Sequence, residues 1–69
     1  VYNYAVMRLR ESQFQALDPD DILAFRKRDL QIDVLVSNGK EAAVKYKDVV
    51  IDHTSIDEIM LLLIKGEQV

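Results

Sequence analysis

Apolar and polar positions alternate along the first ten residues of the chain. From residue 4 onward, one side of an extended segment carries the apolar residues Ala5, Met7 and Leu9, while the other side becomes polar toward Arg10. Successive side chains of a strand point to opposite faces, so this alternation is typical of a half-buried strand. The pattern predicts a first strand over residues 1–10.

The stretch DPDDILAFRKRD, residues 18–29, has the signals of a helix. Asp18 is a good N-cap, and two aspartates follow in the first turn. Pro19 suits the first helical position, because a backbone N–H at that position would have no partner within the helix. The helix dipole favours positive charge in the last turn, which would hold Arg26, Lys27 and Arg28. A shorter helical turn is predicted just before it, over residues 11–17, where Phe14 and Leu17 would meet.

The same stretch has the length of a calcium loop but lacks the residues of one. Ile22 occupies the fifth position, Leu23 the sixth, where glycine makes the sharp turn, and Asp29 the twelfth, where a bidentate glutamate is expected. We therefore interpret residues 18–29 as a capped helix and not as a metal site.

Two further alternating runs, residues 30–37 and 42–46, flank an Asn-Gly turn signal. A three-residue loop over 37–39 places the apolar residues of both runs on one face, whereas a two-residue loop would mix the faces. We therefore predict a bulged hairpin with Gly39 in the left-handed conformation. The apolar segment 49–51 indicates a short, buried strand.

The last segment, TSIDEIMLLLIKG, begins and ends as a helix does. Ser55 and Glu58 have the spacing of a capping box, Lys65 falls in the last turn, and Gly66 follows. The sequence therefore predicts a helix over Ile56–Lys65.

This last helix is apolar on nearly all sides. At about 100° per residue, its apolar positions cover more than the one face that a core needs. Two interpretations stay open: the sheet and the first helix wrap the last helix completely, or part of its surface is a protein interface, because so short a chain has little mass to cover it. The predicted interface residues are Met60, Leu61, Leu62 and Ile64.

Length and cysteine content limit how the chain can be stabilised. The 69 residues form one domain, 1–69, which buries only about 60% of its unfolded surface. The chain has no cysteine and one histidine, which excludes disulfides and thiolate zinc sites and argues against a transition-metal site. We expect no metal and no cofactor, and self-association is the remaining common source of stability.

The distribution of charge suggests an alternative function, the binding of nucleic acid. The net charge of −3 argues against general binding of nucleic acid, but the first 28 residues contain a group of cations. These could form a phosphate-binding patch, although aspartates close by in the sequence would repel phosphate. The candidate nucleic-acid contacts are Arg8, Arg10, Arg26, Lys27 and Arg28.

Catalysis has little support in the sequence. His53 stands between Asp52 and Thr54, but neighbours in an extended segment face opposite sides, and the chain has neither a nucleophile elbow nor a glycine-rich phosphate loop. We interpret His53 as a turn or cap residue. We expect that the protein is not an enzyme and that it has no small-molecule substrate.

The element order predicts an α+β fold: a small antiparallel sheet of three to four short strands, including the bulged hairpin, with two helices packed on one face. No apolar run is long enough to span a membrane, and no leader is visible, so we expect a cytoplasmic protein without membrane contact. The leading hypothesis is a small regulatory or accessory protein that binds a second copy of itself, or a partner protein, through its last helix.

Overall fold

The computed structural model describes residues 3–53 and 56–66 of the chain. Within these ranges four strands, three helices and a 3-10 turn follow one another, which confirms the α+β class. Their order is β1 (Ala5–Leu9), α1 (Glu11–Gln15), the 3-10 turn (Pro19–Asp21), β2 (Ala24–Arg28), β3 (Gln31–Val36), α2 (Gly39–Lys45), β4 (Val50–His53) and α3 (Ile56–Lys65).

The strands form one antiparallel sheet in the order β2-β3-β1-β4. The central strand β1 has Met7 opposite Val34 of β3 on one side and opposite Ile51 of β4 on the other. Phe25 of β2 lies opposite the same Val34. Because residues that are partners across a sheet point to the same face, the alternation along β1 determines both faces of the sheet.

The first face of the sheet carries the larger core. The ring of Phe14 from α1 lies 4.9 Å, centroid to centroid, from the ring of Phe25 of β2. Phe14 and Leu17 belong to the same apolar cluster, as predicted. The buried members of the cluster are Ala5, Met7, Leu9, Leu17, Ile32, Val34, Val36 and Ala42.

Among the helices of the described ranges, α3 is the one that covers the second face. The two helices that were predicted to share one face, over residues 18–29 and 56–65, do not do so. The helices on the first face are α1 and α2, since residues from both pack into the first core. Leu62 of α3 packs instead with Val6, Ala24 and Leu35 on the opposite face. The sheet is therefore the middle layer of three.

The bounds of α3, Ile56–Lys65, are the predicted ones. Ser55, half of the predicted capping box, lies outside the described residues. Beyond the end of the helix, the Gly66 N–H donates to the carbonyl oxygen of Leu62 at 2.8 Å. A Cβ at Gly66 would collide with the carbonyl oxygen of Leu62 in the last turn of α3 and would lie 3.1 Å from the carbonyl oxygen of Phe25, so glycine is required first by the end of the helix itself and then by its close approach to β2.

The predicted helix over residues 18–29 is wrong beyond its first turn. Asp18 is the N-cap, with its carboxylate accepting from the Asp20 N–H at 3.0 Å, but the 3-10 turn ends at Asp21. The chain then extends as β2, which buries Ala24 completely between β3 and α3. Strand pairing and burial outweigh the local helix signals here, since propensity is a weak preference. The three cations, Arg26, Lys27 and Arg28, lie on the edge strand β2.

The predicted bulged hairpin over residues 30–46 is also wrong. Its first strand exists as β3, but residues 39–45 form α2. Asn38 acts as the N-cap of that helix, with its side-chain oxygen accepting from the Glu41 N–H at 3.1 Å. Gly39 has no positive φ; its N–H donates to the Asn3 carbonyl at 2.7 Å, and a Cβ would lie 2.8 Å from that of Ala5. Close approach to β1, and not a left-handed turn, requires this glycine.

The actual hairpin joins β2 to β3. Arg28 and Gln31 are its last paired residues, so the turn consists of Asp29 and Leu30. Asp29 has a φ of 52°, a conformation that aspartate tolerates better than most residues. The predicted strand over 49–51 is present as β4, but it is an edge strand with Val50 exposed rather than a buried one.

Candidate functional site

α3 is held to the sheet through a narrow strip of its surface. Leu62 is 3% exposed and lies against the sheet residues of the second face. Ile59, three residues earlier and therefore on the same side of the helix, is half-buried in that cluster. Leu62, which was predicted as an interface residue, is therefore a core residue.

The outer side of α3 presents a row of exposed apolar side chains. Ile56 is 68% exposed, Met60 49% and Ile64 69%. Because residues four apart in a helix are neighbours, these three form one continuous row, which we call the α3 stripe. Leu61 and Leu63 beside it are also exposed. The interpretation in which the rest of the chain wraps α3 completely is therefore wrong.

Three of the four predicted interface residues, Met60, Leu61 and Ile64, are thus accessible to a partner. Ile56 and Leu63 belong to the same surface and were missed by the sequence reasoning. A signal for Ile56 was available, since it precedes Met60 by one helical turn. The role of this surface in binding stays a prediction.

Beside the apolar strip, the second face of the sheet carries an ionic cluster centred on Arg8 of β1. The guanidinium lies 3.3 Å from Asp33 of β3, 3.2 Å from Asp52 of β4 and 3.2 Å from Glu58 of α3. We call these four residues the Arg8 cluster. It joins four elements at one point and holds the first half of α3 to the sheet.

Strand register explains the cluster. Asp33 lies directly opposite Arg8, and alternation turns both toward the second face. The side chain of Asp33 is only 6% exposed, and it also binds Arg28 at 2.7 Å and accepts from the Gln31 amide at 2.8 Å. Its charge is therefore paired, as a buried carboxylate requires.

The environment of Arg8 favours its charged form. Burial opposes the charge, but the hydrogen bond to Glu58 and the charges of Asp33 and Glu58 outweigh that effect and raise the pKa of Arg8. The guanidinium of Arg8 therefore stays positively charged across the accessible pH range.

The structure does not gather the five predicted nucleic-acid contacts into one patch. Arg8 and Arg28 are bound to Asp33. Lys27 points to the other face of the sheet, where its ammonium lies 3.8 Å from Glu11 and 5.8 Å from the centre of the Phe14 ring. The cations of this region are thus divided between two faces.

An open groove at one end of the sheet does bring three of the arginines together, Arg8, Arg10 and Arg28. The same groove is lined by Asp29 and Asp48. A phosphate group entering it would meet carboxylates as well as guanidinium groups, which argues against phosphate binding. The nucleic-acid hypothesis gains no support from this geometry.

A second polar cluster ties the 3-10 turn to α2. The Tyr46 hydroxyl donates to the Asp21 carboxylate at 2.6 Å, and the Lys45 ammonium donates to the same oxygen at 2.8 Å. The bond from Lys45, followed by that from Tyr46, lowers the pKa of Asp21. Burial and the bond to Asp21 raise the pKa of Tyr46. We assign this cluster a structural role.

The Tyr46→Phe substitution tests that role. Asp21 has a folded-state pKa below its usual 3.8, so its contribution to stability is present above that value and is lost as pH falls through the folded pKa. The substitution removes two hydrogen bonds, the one that the hydroxyl donates to Asp21 and the one that it accepts from the Asp18 N–H at 3.1 Å, and should lower the free energy of unfolding at neutral pH by about 1–2 kcal/mol. Stability should also fall less steeply on acidification below 3.8, and urea titrations at several pH values measure both effects. An unchanged pH profile would contradict the assigned role.

The described ranges, 3–53 and 56–66, contain no group of three or more potential ligands that could hold a metal ion. No helix in that part of the chain is long and apolar enough to cross a membrane. His53 is the last residue of β4 and pairs with Ala5 of β1, so it is a strand residue and not a turn residue. Its side chain lies outside what the structure describes, and its role as a cap stays a prediction.

Comparison of the chain with protein families, with curated proteins and with solved structures finds no match in any of the three. The candidate site therefore depends on the geometry of this chain alone.

Proposed function

We propose that this chain is a small, non-enzymatic interaction module that binds a second copy of itself through the outer surface of α3. The observation that supports the proposal most directly is the α3 stripe. A ten-residue helix leaves Ile56, Met60 and Ile64 about half to two-thirds exposed, with Leu61 and Leu63 beside them. Contiguous exposed apolar surface of this kind marks association sites.

The position of α3 supports the same proposal. Leu62 and, one turn earlier, the ion pair between Glu58 and Arg8 both fix the helix on the sheet. The α3 stripe is therefore presented on an element of defined position. A partner would not have to order it, so the entropic cost of binding is reduced.

The size of the surface predicts a weak complex. Complete burial of one large apolar side chain gains about 1.5–3 kcal/mol, and the stripe residues are already partly buried. Association costs roughly 4 kcal/mol or more. We therefore expect self-association that depends on protein concentration, and a regulatory or accessory role in which the assembly state matters.

Paired lysine substitutions test the proposal. Met60→Lys together with Ile64→Lys places two charges in the stripe without touching Leu62, so the chain should fold and its mass by light scattering should be that of a monomer. Val44→Lys is the matched control, because Val44 is 72% exposed and lies on α2 at the opposite face of the sheet.

The control should have the same concentration-dependent mass as the unmodified chain. Circular dichroism and urea titration of all three proteins separate loss of binding from loss of folding. If the doubly substituted chain is folded and associates as the unmodified chain does, α3 is not the interface.

A further inference from the structure

We propose that the bond between Asn38 and Gly39 is a latent deamidation site, which α2 protects while it is packed beside β1 and exposes when it opens. Asparagine followed by glycine is the pair in which spontaneous deamidation meets least steric resistance, because glycine has no side chain beside the attacking nitrogen. The chain has one such pair, and its other asparagine, Asn3, precedes the bulky Tyr4. Since α2 packs on the first face of the sheet and α3 on the second, this proposal is independent of self-association.

The reaction needs water and no other co-reactant. The backbone nitrogen of Gly39 attacks the side-chain carbonyl carbon of Asn38, and the new carbon–nitrogen bond closes a succinimide ring. The bond from that carbon to the side-chain amide nitrogen breaks, and this nitrogen leaves as ammonia with the proton of the Gly39 N–H. Water then opens the ring at either carbonyl carbon, which gives aspartate or isoaspartate at position 38.

The structure withholds the attacking nitrogen. The Gly39 N–H donates to the carbonyl oxygen of Asn3 at 2.7 Å, and Gly39 is buried. Burial and hydrogen bonding of the protonated form both oppose removal of the proton. A Cβ on Gly39 would lie 2.8 Å from that of Ala5, so the main chain here is held tightly against β1.

The side chain of Asn38 is held away from the reaction as well. Its oxygen accepts from the Glu41 N–H at 3.1 Å, and the main chain at Asn38 is extended, with a φ of −139° and a ψ of 98°. Ring closure requires the side-chain carbon to approach the Gly39 nitrogen from above the peptide plane, so the main chain must rotate and both hydrogen bonds must break. The reactive geometry is therefore reached only after the first turn of α2 is released.

The short length of α2 suits it to local opening. A helix of seven residues has almost no stability of its own. Its attachments to the rest of the chain include the buried Ala42 and the polar cluster at its end. Elements with few buried contacts open at a lower free energy than the core does. We therefore expect α2 to open while the four-stranded sheet stays folded.

The two products differ in their effect on α2. Isoaspartate carries the main chain through the former side chain, which inserts an additional carbon before the nitrogen of Gly39. That nitrogen can then no longer donate to Asn3 in the observed geometry, so α2 should not repack. Aspartate is among the best N-cap residues, so this product should restore α2. Conversion to isoaspartate would thus make a transient opening of α2 permanent.

Incubation of the unmodified chain in native buffer and in urea, at the same pH and temperature, provides the first test. Peptide mass spectrometry after digestion shows which asparagine has reacted, and Asn3 is the internal control, which should react slowly in both solutions. Asn38 should react at least about tenfold faster in urea, because local opening exposes only a minor fraction of native molecules. Equal rates at Asn38 in both solutions, or no reaction in either, would overturn the proposal.

Glycine substitutions in two helices identify the opening that matters. Ala42→Gly weakens α2, and Leu61→Gly is the matched control, because it weakens α3 by a similar loss of helix propensity. In native buffer, Ala42→Gly should speed the deamidation of Asn38 by roughly fivefold, and Leu61→Gly should leave its rate near that of the unmodified chain. Urea titration shows whether both variants fold. Equal acceleration by the two would mean that unfolding of the whole chain exposes the site, which overturns the role of α2.

Circular dichroism of the separated products tests the structural consequence. The Asn38→Asp variant has the sequence of the aspartate product and should retain the helix content of the unmodified chain. The isoaspartate product, purified from the urea incubation and returned to native buffer, should have less helix with the sheet retained. Helix content equal to that of the unmodified chain would contradict the permanent loss of α2.

Discussion

Replacement of Leu62 by alanine should lower the free energy of unfolding by about 2–5 kcal/mol, the largest effect that we expect for any residue of α3. Leu62 is 3% exposed and is the buried residue that joins α3 to the sheet residues Val6, Ala24 and Leu35. Its truncation leaves a cavity between the helix and the second face. A chain of this size has only a few kcal/mol of stability, so much of the population should unfold.

Urea denaturation followed by circular dichroism measures this effect, and Leu61→Ala is the matched control. Leu61 is the same residue type in the same helix but is 41% exposed, so its truncation should cost under about 1 kcal/mol in a monomer. Equal effects of the two substitutions would show that α3 does not lie on the sheet as described.

Replacement of Arg8 by leucine should cost about 3 kcal/mol, the lower end of the range for removing one partner of a buried pair, because the Arg8 side chain is 22% exposed. The substitution leaves the carboxylates of Asp33, Asp52 and Glu58 close together without their shared cation. Asp33 is affected most, since its side chain is 6% exposed and, of its two cationic partners among the described residues, it would keep Arg28 and lose Arg8.

Lys27→Leu is the control for Arg8→Leu, because Lys27 is in an exposed ion pair at 3.8 Å and should change stability by less than about 1 kcal/mol. The double substitution Arg8→Leu with Asp33→Leu should cost less than the sum of the two single ones, since it removes both buried charges together. Additive effects would show that Arg8 and Asp33 do not interact.

The elements that the sequence predicted correctly are those in which the local pattern and the tertiary environment agree. β1 has apolar residues at Ala5, Met7 and Leu9, and the sheet buries that side. Six of the ten residues of α3 are strong helix formers, namely Glu58, Met60, Leu61, Leu62, Leu63 and Lys65.

The failures occurred where one local signal supports two structures. An aspartate followed by proline begins a long helix or a single 3-10 turn equally well. Here the residues that follow pair with β3 as strand β2, so only the turn forms. Asn38 before Gly39 is typical of a hairpin loop and also of a helix N-cap. Residues 40–45 then favour the cap, because lysine, glutamate and alanine are better suited to a helix than to a strand.

Only part of the candidate site could be predicted from the sequence, because the rest depends on where the sheet lies. The excess apolar character of α3 is visible in the sequence, but the choice of which leucine faces the core depends on where the sheet lies. Leu61 and Leu62 are neighbours and point in directions about 100° apart, so one is exposed and the other buried. The Arg8 cluster was not predictable, since its partners come from three separate segments whose register had first to be known.

The most direct test of self-association is the mass of the unmodified chain in solution, measured by light scattering behind a sizing column over a wide range of concentration. We expect the mass to rise from the 8.0 kDa of one chain toward twice that value as concentration increases. We expect this rise at low and at high salt, because the contact is mainly apolar. A mass of 8.0 kDa at every concentration would contradict the proposal.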